Sequence, residues 1–323
     1  MSASPVAPVD RIRQSLSAAE WFTLRHHPLP EYHEDLAHLP PALAALAADA
    51  LHPGDAVEGA LVAPAEYLSR RMFIWEYAPE RALIFLKGGL LYLAAEGPGA
   101  PPCARRIDAR ALLRLRSSIL LLYGLLEFTA DCGGAAGEVR LEYNTVVWQW
   151  LNKPLARFVE SACPAHASAF DEAEARALNE PVLAALPFKF ANGLRYYSLA
   201  PGERAVAAEF QPAIWRKGKH LVRRQLTPNT LLALTDRKLV LIEEKRAQPW
   251  SRPPGAGQGE YGWIFTYIPL DRVVEMSVAP REGLSELTIQ IQWGAASETR
   301  RVRLEPAIAD QWLNAWAAGP ERP

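Results

Sequence analysis

The chain repeats itself. Residues 53–93 and 201–241 align without a gap at a spacing of 148 positions. Pro53-Gly54-Asp55 falls on Pro201-Gly202-Glu203, and Pro64-Ala65 falls on Pro212-Ala213. Leu83, Leu86, Leu91 and Leu93 fall on Leu231, Leu234, Leu239 and Leu241. Further on, Val139-Arg140-Leu141-Glu142 recurs as Val302-Arg303-Leu304-Glu305, and Gln149-Trp150-Leu151-Asn152 as Gln311-Trp312-Leu313-Asn314. A repeat of this length points to two copies of one domain, which constrains the architecture before any motif is considered.

The size agrees: 323 residues make about two ordinary domains. Half the residues are hydrophobic and 22% are charged, enough apolar material for two cores. Residues 1–196 carry 18 Lys+Arg against 22 Asp+Glu and residues 197–323 carry 17 against 14, so the whole sits at −1. That balance argues against a nucleic-acid partner and leaves room only for a local basic patch. The three cysteines, Cys103, Cys132 and Cys163, are widely spaced and read as reduced thiols. No signal peptide is evident in residues 1–10, and the longest apolar run, Ile119 to Leu126, is too short for a bilayer. A cytoplasmic location is expected.

The second copy is the easier to read. Strands are expected over 203–209, 219–226, 229–235, 238–244, 261–268, 272–278, 287–292 and 299–305, of which the leading reading makes seven strands. Asp236-Arg237 makes a tight hairpin turn, and Pro306 opens a helix whose Ile308, Trp312 and Trp316 form an apolar stripe. The first copy repeats this order. Its spacing to the second moves to 161 at Ile107 and Ile268, which places a 13-residue insertion in the Pro/Gly-rich stretch around 249–259. Helices are expected at 10–24, 40–51 and 171–186, so each copy has a leading helix. The boundaries are 1–51 for an N-terminal helical segment, 52–163 for copy 1, 164–196 for a helical linker and 197–323 for copy 2. The fold class is α+β, mainly β: two seven-stranded bent sheets or barrels, each closed by a C-terminal helix, with additional leading and linking helices.

Pro201-Gly202-Glu203, the stretch from Leu232 to Leu241, the run Ile268-Pro269-Leu270-Asp271-Arg272-Val273 and the helix through Gln311-Trp312-Leu313 together carry a resemblance. The region from Ala200 to Trp316 resembles the bacterial branch of the pleckstrin-homology superfold and its GRAM relatives. Copy 1 is similar mainly through copy 2, and its Lys87-Gly88-Gly89-Leu90 departs from the Thr-Asp-Arg-Lys hairpin. The resemblance implies a bent sheet plugged by a helix. It leaves activity open, because this superfold hosts lipid, peptide and protein binding.

The densest cationic cluster is Trp215, Arg216, Lys217, Lys219 and His220, followed by Arg223 and Arg224. It falls where the first two strands of copy 2 meet, the loop with which lipid-binding members of the superfold hold phosphates. Cations around the Gly218 turn suit an anionic head group, whereas the plain alternative is a solvated hairpin whose charges guard a strand edge. Trp250, beside Pro253-Pro254, is expected to be an exposed partner contact. His26, His27, His33 and His38 with Glu34 and Asp35 have no spacing of fixed metal geometry, and no metal or other cofactor is implied. Gly255-Ala256-Gly257-Gln258-Gly259 lacks the strand, helix and Lys-Ser/Thr of a phosphate loop. No catalytic constellation occurs. The leading expectation is a non-enzymatic tandem module for a protein or peptide partner, bound in a groove between closing helix and sheet edge. The alternative is peripheral binding of anionic phospholipid by the basic hairpin. An enzyme site in the cleft between the copies comes third.

Overall fold

The computed structural model describes residues 30–71, 74–97, 100–120, 123–163, 170–217, 223–244 and 262–319. The chain is α+β and mainly strand. A short strand β1 (Glu31–His33) and helix α1 (Pro41–Ala50) come first. Then follow β2 (Val57–Ala63), β3 (Glu66–Arg71), β4 (Ile74–Ala78), β5 (Arg81–Leu86), β6 (Gly89–Ala94) and β7 (Cys103–Asp108). Strands β8 (Leu112–Leu120), β9 (Tyr123–Asp131) and β10 (Ala136–Asn144) lead into α2 (Trp148–Ala162). Helices α3 (Glu172–Ala184) and α4 (Phe188–Tyr197) connect to the second half. There β11 (Ala205–Gln211), β12 (Ile214–Lys217), β13 (Arg223–Thr227), β14 (Thr230–Thr235), β15 (Lys238–Glu244) and β16 (Gly262–Pro269) are followed by β17 (Val273–Arg281), β18 (Leu284–Trp293), β19 (Ala296–Leu304) and α5 (Pro306–Ala317).

Among the described residues, β2–β10 and β11–β19 are nine strand segments apiece, where seven were expected. Pro212-Ala213 breaks β11 from β12, and Pro228-Asn229 breaks β13 from β14. Proline removes a ladder donor, so each of these two chain paths bends and changes sheet. The β12–β13 hairpin then forms a two-stranded sheet of its own, and β3–β4 does the same in the first half. Counted as paths, the strands number seven per half. The N-terminal segment also differs from an all-helical one, because β1 pairs along β2, with Tyr32 opposite Leu61. Residues 10–24 lie outside the described residues.

The halves do not make two separate sheets. A single seven-stranded sheet runs β10-β9-β8-β16-β15-β14-β11, joining both halves through an antiparallel ladder from Gly262 opposite Leu120 to Tyr267 opposite Leu115. A five-stranded sheet, β1-β2-β5-β6-β7, and a three-stranded sheet, β17-β18-β19, flank it in the strand order.

The halves correspond closely in irregular features. The first strand of each carries a register shift at the same spacing of 148, at Val57/Gly59 and Ala205/Ala207. The strands after β7 and β16 carry one at a spacing of 161, at Leu112/Arg114 and Val273/Glu275. The two-residue turns Lys87-Gly88 and Asp236-Arg237, however, lie 149 apart (87 against 236). The leucine matches at 148 are therefore one residue out of register. A slip of one residue moves a side chain to the opposite face of a strand. Leu231 clusters with Phe190 and Leu194 of α4, and its neighbour Leu232 belongs to a different cluster. At the spacing of 149 set by the turns, Leu83 falls on Leu232, in the cluster with Trp312 of α5.

Both faces of these strands are covered, which is why the slip leaves no trace in composition. Every residue of β5 and of β14 is buried. On the outer face of β5, Ile84 and Leu86 meet Leu43 and Ala47 of α1, while α4 covers Leu231, Ala233, Val240 and Ile242 of the second half. Strands buried on both faces read as continuous apolar runs, without alternation.

Candidate functional site

The joint between the halves shows what one strand edge in this fold accepts. Strand β8 offers its edge to β16. Leu115 and Ser117 are buried there, at 0% and 1% exposure, and Leu113, just beyond the ladder, is buried in the core of the second half. The aromatic side chains of β16 stack in a row, with Trp263 to Phe265 at 5.9 Å and Phe265 to Tyr267 at 6.4 Å. They share a core with Tyr143 and with Leu151, Leu155 and Phe158 of α2. The Tyr267 hydroxyl donates to the Tyr197 carbonyl at 2.7 Å, and burial raises its pKa. Polar contacts lock the joint from the side. Arg114 Nε donates to Glu298 Oε1 at 2.8 Å, and Arg272, buried over the Trp293 ring at 3.5 Å, donates to the Arg110 carbonyl and to Asp271.

In the second half the corresponding edge is unpaired among the described residues. Strand β17 pairs there with β18 alone, at the end of the three-stranded sheet. At the spacing of 161, Val274 stands in the place of Leu113, Met276 in that of Leu115 and Val278 in that of Ser117. Val274 is 55% exposed, and Met276 and Val278 are half-buried where their counterparts are fully buried. Helix α5 packs against β17, with half-buried Leu313 and nearly buried Trp316. Met276 and Val278 pack with Val273 on the second half's core, Val274 stands at the register shift beside them, and this edge is the counterpart of the one that β16 fills in the first half.

The basic cluster is only partly described. Trp215 is half-buried in β12, and Arg216 and Arg224 are exposed and directly opposite each other across the β12–β13 ladder. Lys217 pairs with Arg223 in the backbone register. Lys219, His220 and Trp250 lie outside the described residues. Like charges opposite one another on a hairpin repel, and no ion pair is seen for Arg216 or Arg224 among the described residues.

At the hairpin base lies a recess of about 480 Å³. It is lined by Arg116, Arg300, Arg301 and Arg303 together with Glu243, Glu244 and Glu286. The Thr227 hydroxyl donates to the Arg303 carbonyl at 3.1 Å, tying β13 to β19. Most of these charges are already matched: Arg116 with Glu127 at 2.6 Å, Arg300 with Glu243, Lys189 with Glu244 and Arg281 with Glu286. The run Thr299-Arg300-Arg301-Val302-Arg303 was readable as a cationic strand, but nothing in the sequence placed it under the hairpin.

Between the halves, Trp148, Tyr196, Tyr197, Lys238 and Tyr267 border a slot of about 90 Å³. Ordinary ligand pockets run from about 300 Å³ upward. Its one cation, Lys238, is 2% exposed and held by Glu203 at 0% exposure. Glu203 is fixed in turn by the Ala200 amide at 2.8 Å, and its carbonyl accepts from Asn179 of α3 at 2.9 Å. This is a structural bolt, and it explains why Pro201-Gly202-Glu203 opens the half. Of the histidines, His33 and His38 touch edge to face at 5.0 Å, while His26 and His27 lie outside the described residues. Among the described residues no three His, Cys, Asp or Glu side chains gather in metal-binding geometry. No helix among them is long and apolar enough to cross a membrane.

Comparison with known proteins returns no match, either to a family model or to a curated protein.

Proposed function

We propose that the chain is a tandem, pleckstrin-homology-like binding module without catalytic activity, and that it recognises a protein or peptide partner by strand addition to the edge of β17. The two halves are read as copies of one domain, each a bent seven-path sheet closed by a helix. The observation that carries the proposal is the contrast between edges at the spacing of 161: Leu115 and Ser117 of β8 are 0% and 1% exposed beneath β16, and Met276 and Val278 of β17 are half-buried beside an edge unpaired among the described residues. Strand addition draws affinity from main-chain hydrogen bonds and specificity from alternate side chains, and β17 with α5 supplies both. The test is capture from a native lysate with the whole chain and its Val274→Glu variant, followed by hydrogen exchange on the complex. A partner lost with Val274→Glu and slowing exchange over 274–279 supports the reading. A partner indifferent to that change sinks it.

A second reading rests on Arg216 and Arg224, opposed and exposed on their hairpin. Anionic phospholipid head groups would relieve that repulsion. Co-sedimentation with anionic vesicles should then collapse when Lys217 and Lys219 are both changed to Glu.

A further inference from the structure

We infer that the ligand of the β17 edge is a short antiparallel segment of the pattern aromatic-x-aromatic-aliphatic, resembling Phe265 to Ile268 of this same chain. The inference rests on the strand-addition reading and specifies its ligand. The template is β16, the strand the equivalent edge already holds. In that ladder Phe265 lies opposite Ser117, Thr266 opposite Arg116 and Tyr267 opposite Leu115. Carried over by 161 positions, the ligand's first aromatic residue lies opposite Val278, its middle residue opposite Ser277 and its second aromatic residue opposite Met276.

The side chains of the ligand's bed, the β17 edge, agree with this pattern. Met276 and Val278 are half-buried on the face that continues into the α5 core, so an aromatic ring laid across them completes their burial. A ring also reaches the helix: Leu313 and Trp316 stand where Asn152 and Leu155 flank Tyr267 in the first half. Replacing Asn152 by Leu313 makes the second bed more apolar than the first, which favours a ring over a polar side chain. The middle residue faces outward, beside exposed Ser277, and is free to vary. The aliphatic residue after the second ring falls toward Val274, as Ile268 shares a cluster with Leu113.

The bed also sets a length. Pro280 occupies the place of Ile119, which pairs with Trp263 in the joint. Proline offers no N–H to a ladder, so pairing ends before it. The ligand therefore spans Val274 to Ala279, and the aromatic residue at the Trp263 position is dispensable. The same proline keeps the edge from recruiting long strands without limit.

The test uses the whole chain and a fluorescently labelled peptide of residues 263–268, Trp-Ile-Phe-Thr-Tyr-Ile, with terminal lysines for solubility. Saturable binding is expected by anisotropy, with slower hydrogen exchange over 274–279. Replacing both the Phe and the Tyr of the peptide by Ser should weaken binding at least about tenfold, equivalent to about 1.4 kcal/mol. Replacing the Trp should leave it nearly unchanged. Val274→Glu should abolish binding, and Val274→Lys is the second variant, each accepted only if it melts as the parent does. Equal binding of the Ser-substituted peptide overturns the aromatic pattern while strand addition survives. Exchange protection on β8 in place of β17 also overturns it, because the peptide has then displaced β16 from its own joint. Failure of this peptide, when a peptide selected from a random library does protect 274–279, rejects the pattern alone. Failure of every selected peptide to protect 274–279 rejects the strand-addition reading with it.

Discussion

Lys238 and Glu203 form an ion pair cut off from solvent, at 2% and 0% exposure. Such a pair adds little over an apolar substitute, but losing one partner strands a buried charge. Lys238→Met should therefore cost about 3–5 kcal/mol in urea unfolding, and the double change with Glu203→Gln should recover part of that loss. A cost below about 1 kcal/mol would show that the pair is solvated. At Gly124 the Tyr143 ring occupies the space of a side chain, with the nearest ring atom 2.2 Å from where a Cβ would sit. Gly124→Ala must push that ring out of the shared core, and about 1–3 kcal/mol should be lost in the same assay. Cys163 is buried at the end of α2, and burial pushes its thiol up to about 12. Its folded pKa lies above the ordinary thiol value of about 8.5, so the stability tied to its neutral form is complete below that pH and declines as pH rises toward 12. In the native protein, iodoacetamide should therefore modify exposed Cys132 and spare Cys163 until urea is added.

At the scale of elements, the hairpins and helices were readable because their signals are local. Helix α1 at 41–50 and helix α3 at 172–184 fall within the segments expected from Ala/Leu periodicity, and the Asp236-Arg237 turn sits where its residues demand. Register was less legible. With both faces of β5 and β14 buried, a leucine on one face looks like a leucine on the other, and identity alone chose 148 over 149. The closing helices show the same effect. Trp150 and Trp312 match in the repeated Gln-Trp-Leu-Asn, yet Trp150 is 48% exposed and Trp312 is fully buried. One position on a helix turns a side chain by about 100°. Leu151, fully buried like Trp312, is the counterpart at 161. The turn before β2 is tied to β7 by Asp55, whose carboxylate takes two 2.7 Å hydrogen bonds from Arg106. Those bonds hold the Asp55 pKa well below its usual value. The stability this provides is present above about pH 4 and is lost as pH falls through the lower folded value. The difference in melting temperature between the parent and Asp55→Asn should therefore stay constant from pH 7 to 5 and shrink below about 4.

At the scale of the whole molecule, the halves are welded by the β8–β16 ladder, by Arg114 with Glu298 and by Arg272 with the Arg110 carbonyl. Leu113 of the first half lies inside the core of the second. The chain should consequently unfold in a single calorimetric transition, and residues 1–163 alone should aggregate or melt well below the full chain, since β8 and Tyr143 would lose their cover. A first half as stable alone as in the full chain would dissolve that picture. The sequence by itself determined the mainly-strand class, several helices and the tight turns, because each rests on interactions among residues close along the chain or on composition summed over a segment. It could not say which strand edge meets which, since an edge presents the same backbone donors and acceptors whatever the residue. Only the tertiary structure decided that β8 is occupied while β17 is unpaired among the described residues, that Lys238 closes on Glu203, and that the arginines of β19 lie beneath the basic hairpin. Those facts depend on contacts between residues far apart in the chain, and they are the ones that carry the functional reading.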